Sequence, residues 1–476
     1  MSVFGIISKE ISNVAASTYY GLFALQHRGQ ESCGIVVCDD GLFRSHKAKG
    51  IVNDVFTRKE LDALGEGNMA IGHVRYGADV TSGMHNKQPV IVNHYNGHYA
   101  LANQGSLING NELRIEIEKE GSIFHSRRDV EVIAYLITKE RIKCDSVETA
   151  LEQAMYKLVG SYALLVMSPT KLIAARDPRG FHPLCYGITK DGSYVIASES
   201  CALDSVGAQF IRDVLPGEIV VFDTNGGIRS ITTHCNKQPK SICVFEYLYT
   251  ARPDSVVDGY SVHRARLNAG KYLAKEHPVE ADVVIGVPDS GLDAALGYSK
   301  ESGIPYGIGF IKNKYIGRTF IDPGQKVREE KVKIKLNVVS DTVKGKRVVL
   351  VDDSIVRGTT SARIVKLLRD AGAKEVHMRS SAPQFLNPCY YGTDIASRDV
   401  LIAANHTIEE MEKIINVDTL GFLSVENLGK IIEAEQGCGY CHGCFTNVYP
   451  TEAPKPYEKS KYEYKISERK RGQNNE

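Results

Sequence analysis

The sequence predicts a two-part chain of mixed α/β class, with stacked β-sheets covered by helices in the first part and an open parallel sheet in the second. Three observations support this prediction. The 476 residues allow two to four domains of roughly 150 residues each. Short β-rich runs, broken by Gly and Pro, extend to about residue 235. From about residue 243, continuous apolar runs alternate with helical periodicity, which is typical of parallel sheets.

The composition is that of an ordinary globular protein. Its 58 basic and 57 acidic residues give a net charge of +1, which excludes a generally basic nucleic-acid binder and a disordered polyelectrolyte. No apolar run approaches the roughly 18 residues of a membrane span, and Lys9 and Glu10 interrupt any secretory segment, so we expect a cytoplasmic protein without membrane or nucleic-acid partners. In that reducing compartment the 11 cysteines are expected to be buried, metal-binding or catalytic.

The first part contains clear strand signals and an amphipathic helix. The strand signals are IGHVRYG (71 to 77), YALLVMS (162 to 168), KLIAARDPRG (171 to 180), YVIASES (194 to 200) and EIVVFD (218 to 223). The segment SRRDVEVIAYLITKER (126 to 141) predicts a helix with Ser126 as its N-cap, because its aliphatic residues recur on one face.

The second part contains two buried strand signals, VVIGV (283 to 287) and VVLV (348 to 351). The segment SARIVKLLRDAGA (361 to 373) predicts a helix that Gly372 terminates. The last 26 residues, 451 to 476, are highly charged and almost devoid of aliphatic side chains, so we expect a mobile tail there.

The most informative segment is VVLVDDSIVRGTTSA (348 to 362). Asp352 and Asp353 follow a buried strand, at the edge where an open α/β sheet forms its ligand crevice. The loop that follows offers backbone N–H groups and hydroxyls ahead of a helix N-terminus, which favours a phosphate. An ordinary strand, turn and helix with polar caps is the alternative. The string resembles the phosphoribosylpyrophosphate (PRPP) signature of type I phosphoribosyltransferases.

Further segments narrow this resemblance. VFEYLYTARPDSVVDG (244 to 259), VIGVPDSGLDAALGYSKESGIPYG (284 to 307) and KNKYIGRTFIDPGQKVREEKVKIKLN (312 to 337) resemble, in that order, the glutamine PRPP amidotransferases. HRGQESCGI (27 to 35), AARDPRGFHPLCYG (174 to 187) and IASESCALD (196 to 204) are similar to the glutaminase domain of that family. The resemblance implies an Ntn-hydrolase-like αββα sandwich over residues 1–235, a type I phosphoribosyltransferase α/β domain over residues 236–450, and the tail.

The activity implied by the resemblance is transfer of the phosphoribosyl group of PRPP to ammonia or another small amine, which in the family begins purine synthesis. It also implies Mg²⁺, purine nucleotides as inhibitors, and a homotetramer or homodimer. The implied magnesium ligands are Ser290, Asp352 and Asp353. The implied PRPP-binding residues are these three with Ser354, Arg357, Gly358, Thr359, Thr360 and Lys335. Lys312 and Arg318 are the implied cations that act with the acids on the diphosphate; the alternative is a solvated basic face.

Four cysteines lie in segments that resemble the cluster-binding segments of the iron-sulfur class of the family. Cys243, Cys389, Cys441 and Cys444 would hold a [4Fe-4S] cluster, because thiolates from distant parts of a chain can converge on one cube. Zinc is the alternative, since Cys438, Cys441, Cys444 and His442 lie in one short segment. We expect a structural role for the cluster.

The glutaminase site departs from the family pattern. The family has an N-terminal Cys-Gly before Val-Phe-Gly-Ile, whereas this chain has Met1 and Ser2 there, and Gln104 replaces the asparagine that donates to the oxyanion beside Gly105. Loss of a nucleophile costs on the order of 10⁶ in rate in a well-studied hydrolase, so we expect glutamine hydrolysis to be lost. A serine glutaminase, formed by removal of Met1, is the rival interpretation.

Three residues of the family's glutamine pocket are retained in this sequence: Arg28, Arg75 and Asp129. Glutamine could therefore bind without being hydrolysed, or these residues could only stabilise the domain. The sequence leaves open a catalytically silent PRPP-sensing regulator and a specialised transferase that uses another amine.

Overall fold

The computed structural model describes residues 1–76, 87–313, 336–395, 397–433 and 439–455. Within these ranges, no helix is long and apolar enough to cross a bilayer. Arg318, Lys335 and Cys438 lie outside the described residues, as does the predicted tail beyond residue 455. Thr451, the first residue of that tail, is hydrogen-bonded to the Tyr391 hydroxyl, with their oxygens 2.8 Å apart.

The first part of the chain builds two stacked antiparallel sheets. Their strands are β1 (Ser2–Ser12), β2 (Ser32–Asp39), β3 (Leu42–Lys49), β4 (Gly67–Arg75), β5 (Val90–His94), β6 (Gly97–Gln104), β7 (Ala163–Met167), β8 (Lys171–Arg176), β9 (Cys185–Ile188), β10 (Tyr194–Ala197), β11 (Gln209–Asp213), β12 (Ile219–Asp223) and β13 (Ile228–Ile231). One sheet has the order β11-β9-β10-β1-β4-β2-β3, and the other has the order β13-β12-β8-β7-β6-β5.

Helices cover the outer face of each sheet. They are α1 (Val14–Ala24), α2 (Val52–Val55), α3 (Arg58–Leu64), α4 (Gly110–Lys119), α5 (Asp129–Arg141), α6 (Val147–Met155) and α7 (Ser200–Ser205). One apolar core lies between the sheets, a second joins α1 and α7 to the β1 sheet, and a third joins α4, α5 and α6 to the β6 sheet. The layers are therefore helix, sheet, sheet and helix, as the sequence predicts.

The second part centres on a parallel sheet of order β17-β20-β21-β22. The strands of this part are β14 (Ile242–Cys243), β15 (Val256–Val257), β16 (Tyr260–Ser261), β17 (Val283–Gly286), β18 (Phe310–Lys312), β19 (Leu336–Val338), β20 (Arg347–Asp352), β21 (Glu375–Ser380), β22 (Thr419–Phe422) and β23 (Tyr440–Cys441). Its helices are α8 (Val262–Glu276), α9 (Gly291–Ser302), α10 (Ser340–Val343), α11 (Thr359–Asp370), α12 (Ile402–Asn405), α13 (Ile408–Ile415), α14 (Leu428–Ile431) and α15 (Gly443–Thr446).

Both faces of the parallel sheet are buried. In β20, Val349 and Val351 pack on α8 and α9, while Val348 and Leu350 pack on α11 and α13. Side chains that alternate along a strand need an apolar partner on each side, which explains the continuous hydrophobic run VVLV. The sheet therefore presents the end of β20, with Asp352, as an open edge between two helical layers.

The predicted strands of the first part and both buried strands of the second are confirmed, but the predicted N-cap is wrong. The helix α5 begins at Asp129 and follows Arg128, not Ser126. The Ser126 hydroxyl instead donates to the Glu131 carboxylate at 2.7 Å. The same carboxylate accepts the backbone N–H groups of His125 and Ser126 at 2.8 and 2.7 Å. Glu131 reaches back to the chain before the helix, so the acid fixes the entry to α5.

Candidate functional site

Asp352 and Asp353 form the centre of the first candidate site, at the carboxyl end of β20. The two residues are only 7% and 8% exposed. Ser290 donates to Asp353 Oδ1 at 2.6 Å, and the backbone N–H of Asp353 donates to Asp352 Oδ1 at 2.9 Å. Burial raises the pKa of both carboxyl groups, and the charge of Asp353 raises the pKa of Asp352 further. Such a pair is suited to a cation or to hydroxyl donors that return it to the charged form.

The loop after the acids turns into the N-terminus of α11. Gly358 has φ +74°, a left-handed conformation that favours glycine, and a Cβ there would lie 2.4 Å from the end of the Ile402 side chain. Thr359 and Thr360 are exposed in the first turn of α11, and Arg357 is exposed just before it. Ser354 donates to the Asp353 carboxylate. The loop thus has open hydroxyls and the positive end of a helix beside the acids.

The second wall of this site is the segment between β17 and α9, which carries Ser290. Gly291 allows the start of α9 to approach the end of β20, because a Cβ there would lie 2.6 Å from the Val351 carbonyl oxygen. Lys312, at the end of β18, pairs with the Asp289 carboxylate in this structure. The structure therefore brings together Ser290, Lys312 and the two acids around one crevice. Arg318 and Lys335 lie outside the described residues.

The N-terminus forms a second candidate site at the edge of the stacked sheets. The Met1 α-amino group donates to the Arg28 carbonyl oxygen at 2.7 Å. Burial and the nearby Arg28 lower the pKa of this amine to about 5, so it is neutral at pH 7. Ser2 pairs with Val74 in the β1–β4 register, which places Met1 beside Arg75. Met1, Arg28 and Arg75 are thus brought together, as the resemblance implies.

Gln104 and Gly105 lie next to this N-terminus. The Ser198 hydroxyl accepts the Val3 N–H at 2.9 Å and donates to Gln104 Oε1 at 2.7 Å, so it ties β1 to the end of β6. Gly105 has φ +128°, and a Cβ there would lie 2.3 Å from the Ser161 carbonyl oxygen. The side-chain oxygen of Gln104 is therefore held by Ser198.

Ser2 points away from this pair. In β1, Val3 joins the core between the sheets, which includes Ala102 of β6, whereas Phe4 joins the core under α1. Side chains alternate along a strand, so Ser2 shares the face of Phe4. Its hydroxyl is buried and has no hydrogen-bond partner among the described residues. This orientation is unfavourable for an attack on a group held at Gly105.

The other retained pocket residues have structural partners. Arg75 Nε lies 3.3 Å from Glu31 Oε2, and its side chain is 3% exposed. Asp129 accepts the Leu107 N–H at 2.9 Å, two residues beyond Gly105. Burial raises the pKa of the Asp129 carboxyl group to about 6. Both side chains stabilise the pocket walls in this structure.

A buried charged cluster next to Met1 was missed by the sequence analysis. Arg28 donates to both oxygens of Glu246, at 2.8 and 2.7 Å, and also binds Glu199. His182 Nδ1 lies 3.0 Å from Glu246 Oε1. Burial alone would raise the pKa of Glu246, but the charge of Arg28 and the His182 hydrogen bond lower it. Because Glu246 belongs to the second part of the chain, this cluster joins the two parts.

A buried histidine beside the N-terminus was missed as well. Burial, together with the N-terminal amine, lowers the pKa of His73 to about 3. Its Nε2 lies 3.1 Å from the Asn103 carbonyl oxygen. His73 is therefore neutral and holds the backbone just before Gln104. Only its place in IGHVRYG, next to Arg75, could have indicated it.

The four predicted cluster ligands line one small apolar cavity. Cys243 and Cys441 are paired in the parallel β14–β23 register, and Cys389 and Cys444 also line the cavity. Phe245, Phe385 and Tyr449 are among its other lining residues. All four thiols are free. Burial raises the pKa of Cys441 to about 12 and raises those of Cys243 and Cys444 well above the usual value, with further contributions from the neighbouring cysteines.

Of the predicted zinc ligands, Cys441 and Cys444 line this cavity, whereas Cys438 lies outside the described residues. Among the described residues, no three His, Cys, Asp or Glu side chains are arranged to hold one metal ion. A tetrahedral zinc site requires sulfurs that all lie about 2.3 Å from one metal. His442, the histidine of the predicted zinc set, instead directs Nδ1 to the Thr446 hydroxyl at 2.9 Å.

Family models match both parts of the chain. A model described as a glutamine amidotransferase domain matches residues 75–205, and one described as a phosphoribosyl transferase domain matches residues 261–392. The first match includes Asp129 of the sandwich, and the second includes three strands of the parallel sheet, β17, β20 and β21, with Ser290, Asp352 and Asp353. These matches confirm the predicted fold class.

Two curated relatives and one solved structure match nearly the whole length of this chain. The amidophosphoribosyltransferases of Archaeoglobus fulgidus and Methanocaldococcus jannaschii are 48% and 49% identical to this chain, covering 95% and 94% of it and 98% and 97% of their own lengths. The solved glutamine PRPP amidotransferase of Bacillus subtilis, in complex with ADP and GMP, is 48% identical, with a TM-score of 0.87 over 95% of this chain and 98% of that one. At this identity over nearly the whole length, the chain belongs to the amidophosphoribosyltransferase family.

Proposed function

We propose that this chain transfers the phosphoribosyl group of PRPP to ammonia, with inversion at C1, to give 5-phosphoribosylamine for purine synthesis. The observation that carries the proposal is the buried pair Asp352 and Asp353 at the end of β20, bounded by Ser290 and by the N-terminus of α11. This arrangement offers acceptors for the ribose hydroxyls on one side and N–H donors for the 5′-phosphate on the other.

Each group in this crevice has a role in the proposed reaction. The acids accept hydrogen bonds from the ribose hydroxyls and orient C1, while the Gly358 turn and the hydroxyls of Thr359 and Thr360 hold the phosphate. Lys312 exchanges the Asp289 carboxylate for the diphosphate when PRPP binds. Arg357, exposed beside the loop, adds a second positive charge near the 5′-phosphate.

Magnesium fits this site. Hard oxygen ligands are what Mg²⁺ prefers, and it usually binds one or two carboxylates and completes its shell with substrate oxygens and water. Asp352 and Asp353 are the carboxylates, and the Ser290 hydroxyl adjoins them. When bound, Mg²⁺ neutralises the charge of the departing diphosphate.

We further propose that glutamine hydrolysis is lost and that ammonia comes from solution. The Met1 thioether can neither lose a proton nor act as the nucleophile of an Ntn hydrolase. Ser2 shares the face of Phe4, away from Gly105. Arg75 and Asp129 are retained, so the pocket can bind glutamine without cleaving it.

We propose a [4Fe-4S] cluster for Cys243, Cys389, Cys441 and Cys444. The fit rests on the donor set, because four free thiols line one apolar cavity and come from three separate segments of the chain. The cluster would join β14, the 387–392 segment and the β23–α15 segment. Its role would be structural, since ribosyl transfer involves no electron transfer.

The test is pyrophosphate release from PRPP and Mg²⁺ with ammonium chloride as the nitrogen source, followed by identification of the product. We expect ammonium-dependent release. PRPP binding without release would favour a PRPP-sensing regulator, and release with a different amine would favour a specialised transferase. The same assay with purine nucleotides such as ADP and GMP tests inhibition.

A further inference from the structure

The cysteine-bearing segment 387–392 also contacts the amidotransferase pocket. Cys389 lines the cysteine cavity, and its sulfur accepts the Tyr391 N–H at 3.4 Å. Two residues later, the Tyr391 carbonyl oxygen accepts hydrogen bonds from Ser161 at 2.6 Å and from His182 Nε2 at 2.7 Å. Ser161 and His182 both belong to the first part of the chain. One short segment therefore links the two sites.

The first link leads to the loop that carries Gly105. The Ser106 N–H donates to the Ser161 hydroxyl at 2.9 Å, and that hydroxyl donates to the Tyr391 carbonyl oxygen. Gly392 lies directly against Gly105, because a Cβ on Gly392 would be 3.3 Å from Gly105 Cα and 3.4 Å from His182 Nε2. The 387–392 segment therefore contacts the backbone of the Gly105 loop both directly and through Ser161.

The second link leads to the N-terminus. His182 lies between the Tyr391 carbonyl oxygen and Glu246, Glu246 binds the Arg28 guanidinium, and the Arg28 carbonyl oxygen accepts the Met1 amine. Every residue in this series of contacts except Met1 is at least nine-tenths buried. Tyr391 itself is fixed by stacking on Phe181, with ring centroids 4.0 Å apart. A buried network of hydrogen bonds and ion pairs thus joins the cysteine-bearing segment to the N-terminus.

We propose that the four-cysteine site and the amidotransferase pocket are energetically coupled through Tyr391 and Gly392, with Ser161 and His182 as positioning residues. The metal group in the cysteine cavity fixes Cys389 and thereby holds Tyr391 and Gly392 against the Gly105 loop. By thermodynamic reciprocity, order in that loop stabilises the metal group. The inference rests on the proposed function in one respect, that the four cysteines bind a metal group.

The variant that tests this coupling most specifically is Gly392→Ala, and Gly97→Ala is its matched control. The two glycines have φ +112° and +111°, so alanine is strained at both. Gly97 has nothing within 4 Å of its added Cβ, whereas Gly392 meets Gly105 and His182. Of the two added methyl groups, therefore, only that of Gly392→Ala presses on the contact between the cysteine-bearing segment and the pocket.

Two readouts, neither of which is enzyme activity, decide the question in the full-length protein purified without oxygen. The first is the rate at which an iron chelator removes metal. The second is amide hydrogen exchange in a peptide that covers Gly105 to Leu107, where the Ser106 N–H reports the link directly. We expect Gly392→Ala to accelerate metal removal and amide exchange roughly tenfold each, which corresponds to the loss of one or two hydrogen bonds. Gly97→Ala should give the wild-type rates.

Comparison of metal-loaded and metal-stripped wild-type protein keeps the test informative if Gly392→Ala does not fold. Stripping should accelerate exchange at Gly105 to Leu107 if the sites are coupled. Equal exchange in both forms, or metal release from Gly392→Ala at the rate of Gly97→Ala, would overturn the inference. Metal analysis of the same samples tests the cluster separately. If they contain no metal, maleimide labelling of the four thiols replaces metal release in comparing the variants.

Discussion

At the scale of single residues, we propose that two adjacent carboxyl groups, those of Asp352 and Asp353, carry the transferase chemistry. Asp352→Asn or Asp353→Asn should abolish PRPP-dependent pyrophosphate release, because each removes a charge that magnesium and the ribose require. The fold should persist, since an amide of the same size is easily placed at the edge of a crevice. Asp370→Asn, at the exposed end of α11, is the control and should keep full activity. Wild-type release from both site variants would show that the site is wrongly assigned.

The raised pKa of Asp213 predicts that the stability of the folded protein depends on pH. Burial, together with Asp258, raises the pKa of its carboxyl group to about 6, and its Oδ1 has no partner among the described side chains. A raised pKa means that the folded state favours the protonated acid, so stability is greatest below about pH 4 and falls as the pH rises from there through 6. Asp213→Asn should therefore increase the free energy of unfolding by about 1 kcal/mol at pH 8 and leave it unchanged at pH 4. Urea unfolding at the two pH values measures this, and an equal effect at both would contradict it.

At the scale of elements, Arg176 of the sandwich binds Asp258 near the start of the second part of the chain. Arg176 is fully buried and binds both oxygens of Asp258, at 2.7 and 2.9 Å, as well as three backbone carbonyl oxygens. Arg176→Met leaves these acceptors without a donor and should destabilise the protein by about 3 kcal/mol. Arg58→Met, which removes an exposed pair with Asp62, should cost less than about 0.5 kcal/mol. Similar losses in denaturant unfolding would refute this role for Arg176.

Most helices and strands were predictable from the sequence, because the alternation of polar and apolar residues and the continuous apolar runs depend on local burial. The strand β20 and its acids follow directly from VVLVDD. The start of α5 was misassigned because the Ser126 hydroxyl donates to the Glu131 carboxylate instead of capping the helix, and a sequence pattern does not show this pairing. The cluster around Arg28 could not be predicted, because its partners Glu199 and Glu246 lie 171 and 218 residues away along the chain. Such pairings depend on how the two parts dock.

At the scale of the whole molecule, the cysteine cavity brings together three distant segments of the second part of the chain. Anaerobically purified protein should be brown and contain iron and sulfide near four atoms each per chain. Cys389→Ser should lose the colour and reduce solubility, because it removes one of the four thiols that close the cavity. Cys144→Ser, a free cysteine outside the cavity, is the control. Stoichiometric zinc with negligible iron would overturn the cluster assignment.

Centrally, we propose that the transferase has kept the amidotransferase domain but lost its glutaminase chemistry. The most direct measurement follows pyrophosphate and glutamate release from one sample supplied with PRPP, Mg²⁺ and either ammonium chloride or glutamine, with intact-mass analysis to establish whether Met1 is present. We expect pyrophosphate release with ammonium chloride and no glutamate release with glutamine, because Met1 offers no nucleophile and Ser2 faces away from Gly105. Robust glutamate release that Ser2→Ala eliminates would contradict the account.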